Sequence, residues 1–268
     1  MVEALDFPNI SPILVSFGPI AIRWYSIAYL LGIFIGWFLI SKKIDDKKTV
    51  LTKEVLEDYT FWLVIGIVLG GRFAYVLFYA FDYFVRNPLS VFKVWEGGMS
   101  FHGGLLGVIA VSLIFAKKYK IRFLELTDLL SLVAPVGLFF GRIANFINDE
   151  LWGRVTYTTS WAVKFPSGGG VPRHPSQIYE ALLEGLVLFV ILQLAAKNEK
   201  IFARKGVISG LFVIFYAIFR MFIEQYREPD QQLGFIFGHI TMGQILSFPM
   251  ILVGLIVIYI GNKYNKEA

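Results

Sequence analysis

The chain has 268 residues, of which 56% are hydrophobic and only 17% charged, with a formal net charge of +5 and no cysteine. A water-soluble domain of this length carries more charge, and a chain without cysteine forms no disulfide, thiolate nucleophile or Cys-ligated metal site. The small positive balance fits basic loops beside a membrane and gives no case for nucleic acid.

Residues 1–22 contain Glu3 and Asp6 but neither Lys nor Arg. The positive leader of a cleavable signal peptide is therefore missing, and the first apolar span is expected to serve as an uncleaved insertion signal. Seven apolar stretches follow, at about 19–41, 58–80, 99–116, 123–144, 177–196, 206–226 and 241–261. Each approaches or exceeds the roughly 20 residues that cross a bilayer as a helix. The ten-residue alternation of a transmembrane barrel is absent. The expected fold is an all-α polytopic membrane protein of about seven transmembrane helices.

Basic residues separate the connections into two sides. Lys42, Lys43, Lys47, Lys48 and Lys53 follow the first span, Lys117, Lys118, Lys120 and Arg122 the third, Lys197, Lys200, Arg204 and Lys205 the fifth, and Lys263 and Lys266 the seventh. The opposite connections are poorer in Lys and Arg. The positive-inside rule then places the N-terminus outside and the C-terminus in the cytoplasm. One outer connection, 145–176, has a composition of its own, with Trp152, Trp161, Pro166, Pro172 and Gly168-Gly169-Gly170. It is expected to form a small extracytoplasmic cap on a single domain spanning 1–268.

Arg72, His102, Arg142, Glu180 and Arg220 lie in or at the rim of the spans, where an ionisable side chain marks function by default. At about 1.5 Å of rise per residue, Arg72 and Arg220 stand roughly 20 Å above the inner ends of their helices, and His102 lies within a turn of the outer surface. These groups, with Tyr25, are expected to face one polar chamber open to the outer side. Tyr216, Arg220 and Glu224 are four residues apart and share a helix face, as do Arg142 and Asn145. The glycine pairs Gly66/Gly70 and Gly103/Gly107 are expected to permit close helix packing. Several guanidinium groups and an imidazole facing the outer side fit an anionic ligand, and in a membrane the common anion is a phospholipid phosphate. His102 is suited to proton transfer near neutrality. His239 has no motif around it and reads as an ordinary loop residue.

Four segments carry a resemblance: Phe101-His102-Gly103-Gly104, Gly141-Arg142 through Asn145, Glu150 and Gly153-Arg154, His174-Pro175-Ser176-Gln177-Ile178-Tyr179-Glu180, and Phe219-Arg220 with Glu224 and Tyr226-Arg227-Glu228-Pro229. With Arg23-Trp24-Tyr25 they cover nearly the whole chain. The sequence closely resembles the bacterial prolipoprotein diacylglyceryl transferases. It departs from them at Ala144 and Asp149, where the family commonly has glycine; Asp149 is expected to point away from Arg142.

The resemblance implies an enzyme of the bacterial inner membrane. It would move the diacylglyceryl group of phosphatidylglycerol to the lipobox cysteine of a prolipoprotein signal peptide, making a thioether and releasing glycerol phosphate. It implies no cofactor and no metal. By motif match, Arg142 and Arg220 bind the phosphate and stabilise the leaving group, and His102 assists thiol deprotonation, with activation by arginine or by charge alone as the rival scheme. Asn145, Glu150 and Gly153 shape the head-group site, and Tyr25, Tyr216, His174, Glu180 and Glu224 line or brace it. A phospholipid or anion transporter is the alternative from another class, but no comparable polar cluster marks the inner halves of the spans. A membrane protease would need an HExxH motif or paired intramembrane aspartates, and neither occurs.

Overall fold

Long apolar runs have one stable answer in hydrocarbon, a helix that satisfies its own backbone. The computed structural model describes residues 3–8, 10–18, 20–229, 234–236 and 238–264. Among the described residues, six helices are long and apolar enough to cross a membrane: α1 (Trp24–Asp45), α2 (Lys53–Phe78), α4 (Phe101–Tyr119), α5 (Phe123–Ile147), the continuous Ser176–Lys197 helix, and α10 (Met242–Tyr264). A seventh apolar helix, α9 (Val207–Ile223), is shorter. The Ser176–Lys197 helix consists of α6 (Ser176–Glu180), a π-helical turn (Ala181–Val187) and α7 (Leu188–Lys197). Two short helices, α3 (Phe81–Arg86) and α8 (Glu199–Phe202), lie between spans. Large apolar side chains such as Phe34, Phe73 and Leu252 are exposed along the long helices, as befits surfaces solvated by lipid. The protein is a polytopic helical membrane protein.

The chain divides into two compact units, residues 37–127 and the remainder, with the divisions falling inside α1 and α5. In the 37–127 unit, α2 packs along α4. A Cβ on Gly70 would strike the Gly103 carbonyl, and one on Gly107 would strike the Gly66 carbonyl, so the two glycine pairs do bring the backbones together. Buried Tyr59 and Ser112 share a hydrogen bond of 2.6 Å across the same seam. Thr52 caps α2 by accepting from the Val55 amide at 3.3 Å, and Ser100 caps α4 by accepting from Gly103 at 3.4 Å.

The other unit holds the first half of α1, most of α5, the Ser176–Lys197 helix, α9 and α10. Gly32 of α1 lies against Gly137 of α5, and Gly210 of α9 against the Gly254 carbonyl of α10. Pro135 removes one amide from α5. Gln193 of α7 donates to the Leu132 carbonyl at 3.1 Å, a turn before the proline. Asp128 of α5 caps α9. It accepts from the Gly206 and Ser209 amides at 2.7 Å each and from the Ser209 hydroxyl. That cap ties the start of α9 to α5 near the end opposite Arg142 and Arg220.

Hydropathy places the first span from residue 19, but Ile20–Arg23 is strand β3, paired antiparallel with β2 (Ile13–Phe17). Gly18, at φ +57°, lies between them. The helix begins at Trp24; residues 20–22 are as apolar as the helix that follows, so average hydropathy does not register the change from strand to helix.

The segment expected as a cap is folded. Strands β4 (Val163–Lys164) and β5 (Pro172–Arg173) pair antiparallel, and β1 (Leu5–Asp6) joins β4 in parallel. Phe165, wholly buried, packs with Phe7 and Phe146 at ring distances of 5.5 and 5.7 Å. Residues 153–156 run beside 172–174 through hydrogen bonds donated by the amides of Gly153 to His174 O (2.8 Å), His174 to Arg154 O (3.0 Å) and Thr156 to Pro172 O (2.9 Å).

Candidate functional site

Helices α5, α6 and α9 each contribute charge to one buried cluster. Arg142 lies a turn and a half before the end of α5, Glu180 ends α6, and Arg220 lies one turn before the end of α9. Glu180 bridges the two arginines: Oε2 is 3.0 Å from Arg142 Nε and Oε1 is 2.8 Å from Arg220 Nη1. Arg220 also pairs with Glu224, one turn on, at 2.5 Å. The expected shared face of Tyr216, Arg220 and Glu224 is thus formed, and Tyr216 is within electrostatic reach of Arg142, Arg220, Glu180 and Glu184.

Two cluster members were not singled out from the sequence. Glu184 lies 3.6 Å from Arg142 Nη2 and 3.8 Å from Arg220 Nη1, so it spans the same two arginines as Glu180 but more loosely. Arg227 reaches Glu180 Oε1 at 3.0 Å. The i, i+4 spacing of Glu180 and Glu184 on an apolar helix was the available signal for the first. Arg227 reads as an outer-loop cation, and nothing local marks it as buried. The side chains of Glu180 and Glu184 are 0% exposed. Buried charge at this depth is tolerated only when paired, and three guanidinium groups here face three carboxylates. Arg142 Nη1 and Arg220 Nε stand outside these pairs.

A second polar group adjoins the first. The Tyr25 hydroxyl donates to Glu150 Oε1 at 2.6 Å, and the Asn145 amide donates to the Tyr25 oxygen and, at 2.9 Å, to the same Glu150 oxygen. Asn145 is one turn beyond Arg142 on α5, and Arg142 acts electrostatically on Tyr25. Glu150 is held by its own backbone, whose carbonyl accepts from Gln177 at 2.7 Å. The residues between Asn145 and Glu150 turn sharply, and Asp149 takes φ +55°. Glycine meets that need most easily, and Asp is among the side chains that tolerate it. The Asp149 carboxylate accepts from the Ser167 amide at 2.7 Å, so it is engaged within the cap segment, and Ala144 is buried.

Gly153 is required by packing. A Cβ there would lie 2.5 Å from the Tyr226 carbonyl and 2.6 Å from the His174 carbonyl. Next to it, Arg154 donates to the Glu224 carbonyl at 2.8 Å and the Arg227 carbonyl at 2.9 Å, which anchors the turn carrying two cluster members. His174 shares a hydrogen bond of 3.1 Å with the Tyr179 hydroxyl. Partial burial and then the Arg154 charge hold its imidazole below the ordinary histidine value. His174, Trp161, Tyr179, Leu182, Phe222 and Tyr226 line a largely apolar groove of about 350 Å³.

His102 and Arg72 belong to the 37–127 unit. His102 is exposed in the first turn of α4, its ring edge-on to Phe101 at 5.8 Å. Arg72 is buried and spends its donors on backbone carbonyls: Ser90 and Gly97 at 2.5 Å, Val91 at 2.9 Å, Lys93 and Gly98 at 3.2 Å. The expectation of an arginine facing a polar chamber is corrected for Arg72, which organises the 88–98 loop. Fixed guanidinium charge satisfies helix-free backbone wherever water is scarce, and sequence does not distinguish that use from anion binding. His239 lies in a turn bracketed by the Ile236–Ile240 bridge. Among the described residues, no group of three or more His, Asp or Glu side chains is placed to hold a metal ion.

The fold and this cluster define a class: a polytopic helical membrane protein with a buried guanidinium–carboxylate site at the ends of three helices, beside a folded connecting segment. Residues 12–260 match the family described as prolipoprotein diacylglyceryl transferase. A phosphatidylglycerol–prolipoprotein diacylglyceryl transferase of Rickettsia felis is 54% identical over 250 residues, covering 93% of this chain and 96% of the relative. Proteins of the same name from Rickettsia canadensis and Rickettsia bellii are each 52% identical, over 248 and 254 residues, with 92% and 95% of this chain and 95% and 96% of the relatives covered. The chain belongs to the prolipoprotein diacylglyceryl transferase family.

Proposed function

We infer that this chain transfers the diacylglyceryl group of phosphatidylglycerol to the lipobox cysteine of a prolipoprotein, the first step of lipoprotein maturation. The observation that carries the reading is the pairing of Arg142 and Arg220 through Glu180, in a chain of this family. In the reaction, the cysteine sulfur attacks the glyceryl carbon that bears phosphate. A C–S bond forms, the C–O bond to phosphorus breaks with its electron pair passing to the phosphate oxygen, and glycerol phosphate leaves. Charge therefore grows on a phosphate oxygen, and preorganised guanidinium donors favour that state over the bound lipid. Arg142 and Arg220 carry this role, using donors outside their carboxylate pairs.

A free thiol ionises near pH 8.5, so its proton needs an acceptor or a positive field. His102 is the proposed acceptor, and field activation by the arginines is the rival scheme. Tyr25, Asn145 and Glu150 form a polar wall beside Arg142 for the head-group glycerol. Gly153 and His174 hold the cap against the Tyr226 turn, and Glu180, Glu224 and Tyr216 brace the arginines. The proposed setting is the bacterial inner membrane, with the N-terminus and residues 145–176 on the extracytoplasmic side and the C-terminus in the cytoplasm. This rests on the charge asymmetry of the connections and makes the whole chain one transferase domain.

Purified protein incubated with phosphatidylglycerol and a cysteine-bearing signal peptide tests the reading. A lipid-shifted peptide and released glycerol phosphate are expected. Head-group movement without a modified peptide would contradict it and favour transport.

A further inference from the structure

Glu184 lies in the π-helical turn, a geometry that often accompanies functional positions. Gly185 permits its placement: a Cβ there would sit 2.8 Å from Phe139 Cα, so the turn lies directly against α5 one helical turn before Arg142. Glu180 and Glu184 contact the same two arginines, but not equally. Glu180 approaches them at 3.0 and 2.8 Å, whereas Glu184 stands at 3.6 and 3.8 Å. Among the described residues neither Glu184 oxygen has a hydrogen-bond partner, and Glu180 Oε2 meets Arg142 as an ion pair without one, whereas Glu180 Oε1 accepts hydrogen bonds from Arg220 and Arg227. Glu180 is thus sufficient to join the arginines, and Glu184 adds charge more than it adds bonds. With it, the six charged side chains balance; without it, they carry one net positive charge in a water-poor site.

We propose that Glu184 is a positioning residue that sets how tightly the Arg142–Arg220 pair holds phosphate, acting as the resident counterion that limits retention of the phosphate product. The inference rests on the function proposed above. A phosphodiester enters with one negative charge, and the monoester that leaves carries close to two at neutral pH. Unopposed guanidinium groups would hold the product more strongly than the substrate. A carboxylate fixed beside both arginines competes with phosphate throughout and weighs most against the more highly charged species. Its loose contacts mean that phosphate can displace Glu184 from the arginines without breaking a hydrogen bond to it.

The test compares wild-type protein with Glu184→Gln, which preserves shape and removes charge. The measurements are kcat, KM for phosphatidylglycerol, inhibition by glycerol phosphate, and glycerol phosphate binding by calorimetry. Glu184→Gln is expected to tighten glycerol phosphate binding by roughly ten- to a hundredfold, the effect of one charge at these distances in a partly screened site. Both kcat and KM are expected to fall. Loss of packing alone would lower kcat without tightening the product. Unchanged or weaker product binding by a folded Glu184→Gln protein overturns the proposal. If that variant does not fold, Glu184→Asp replaces it: the shortened side chain withdraws the charge, and a smaller tightening is expected, with no tightening again overturning the proposal. A wild-type protein that neither modifies the peptide nor binds glycerol phosphate would refute the underlying function, and the inference with it.

Discussion

Arg142 and Arg220 are joined through a single buried carboxylate, Glu180, which places one oxygen 3.0 Å from the first and the other 2.8 Å from the second. The bridge brings together guanidinium groups 78 residues apart in sequence and leaves each with donors to spare. It also makes the pair interdependent, because a buried charge whose partner is removed is strongly unfavourable.

Replacing either arginine by alanine is therefore expected to abolish transfer to a lipobox peptide and to destabilise the protein by about 3–5 kcal/mol, the usual cost of breaking a buried ion pair. Arg220→Lys should retain the charge and much of the stability yet lose most activity, since one ammonium cannot serve Glu180, Glu224 and a phosphate in a planar arrangement. Peptide lipidation and thermal unfolding in detergent, measured on the same preparations, separate the two effects.

The Tyr25 hydroxyl adds a second link between Asn145 and Glu150, which also bond directly at 2.9 Å. Tyr25→Phe keeps the ring and removes that link, and transfer is expected to fall by about ten- to a hundredfold, the equivalent of one hydrogen bond to a charged group. Retained wild-type kcat/KM would remove Tyr25 from the proposed head-group wall.

Arg72 predicts a different outcome. Five hydrogen bonds to the carbonyls of residues 90–98 depend on its planar fork. Arg72→Lys should destabilise this loop by roughly 3 kcal/mol or more. Limited proteolysis should then cut between residues 88 and 98 far faster than in the wild type. A loop as resistant as before would show that the carbonyls find other partners.

His174 gives a pH signature. Its folded-state pKa lies below the ordinary 6.5 because the imidazole is partly buried and faces Arg154. The unfolded chain therefore takes up the proton first as pH falls. The contribution of His174 to stability is intact above about pH 6.5 and is lost as pH falls through the depressed folded value. Thermal stability should be flat on this account from pH 7 to 8 and should decline below 6.5. His174→Gln should reduce the decline.

Much of this arrangement was legible in the sequence. Hydropathy found the spans, the glycine pairs pointed to close helix packing, and four-residue spacing put Arg220 and Glu224 on one helix face. What remained hidden has physical reasons. The Tyr25–Glu150 bond joins residues 125 apart, and no local pattern encodes it. Glu184 is marked only by its four-residue spacing from Glu180, in a helix whose apolar average conceals it. Arg72 and Arg142 are both span arginines, yet one is spent on loop carbonyls and the other on carboxylates, a difference set entirely by tertiary neighbours. Residues 20–23 are apolar enough for a helix but are held as a strand by their pairing with 13–17.

The most direct measurement is a structure with phosphatidylglycerol bound. The account predicts phosphate oxygens about 2.8 Å from nitrogens of both Arg142 and Arg220, with the glyceryl carbon facing the entry for the peptide thiol. A head group seated elsewhere, with the Arg142–Glu180–Arg220 bridge undisturbed, would contradict it.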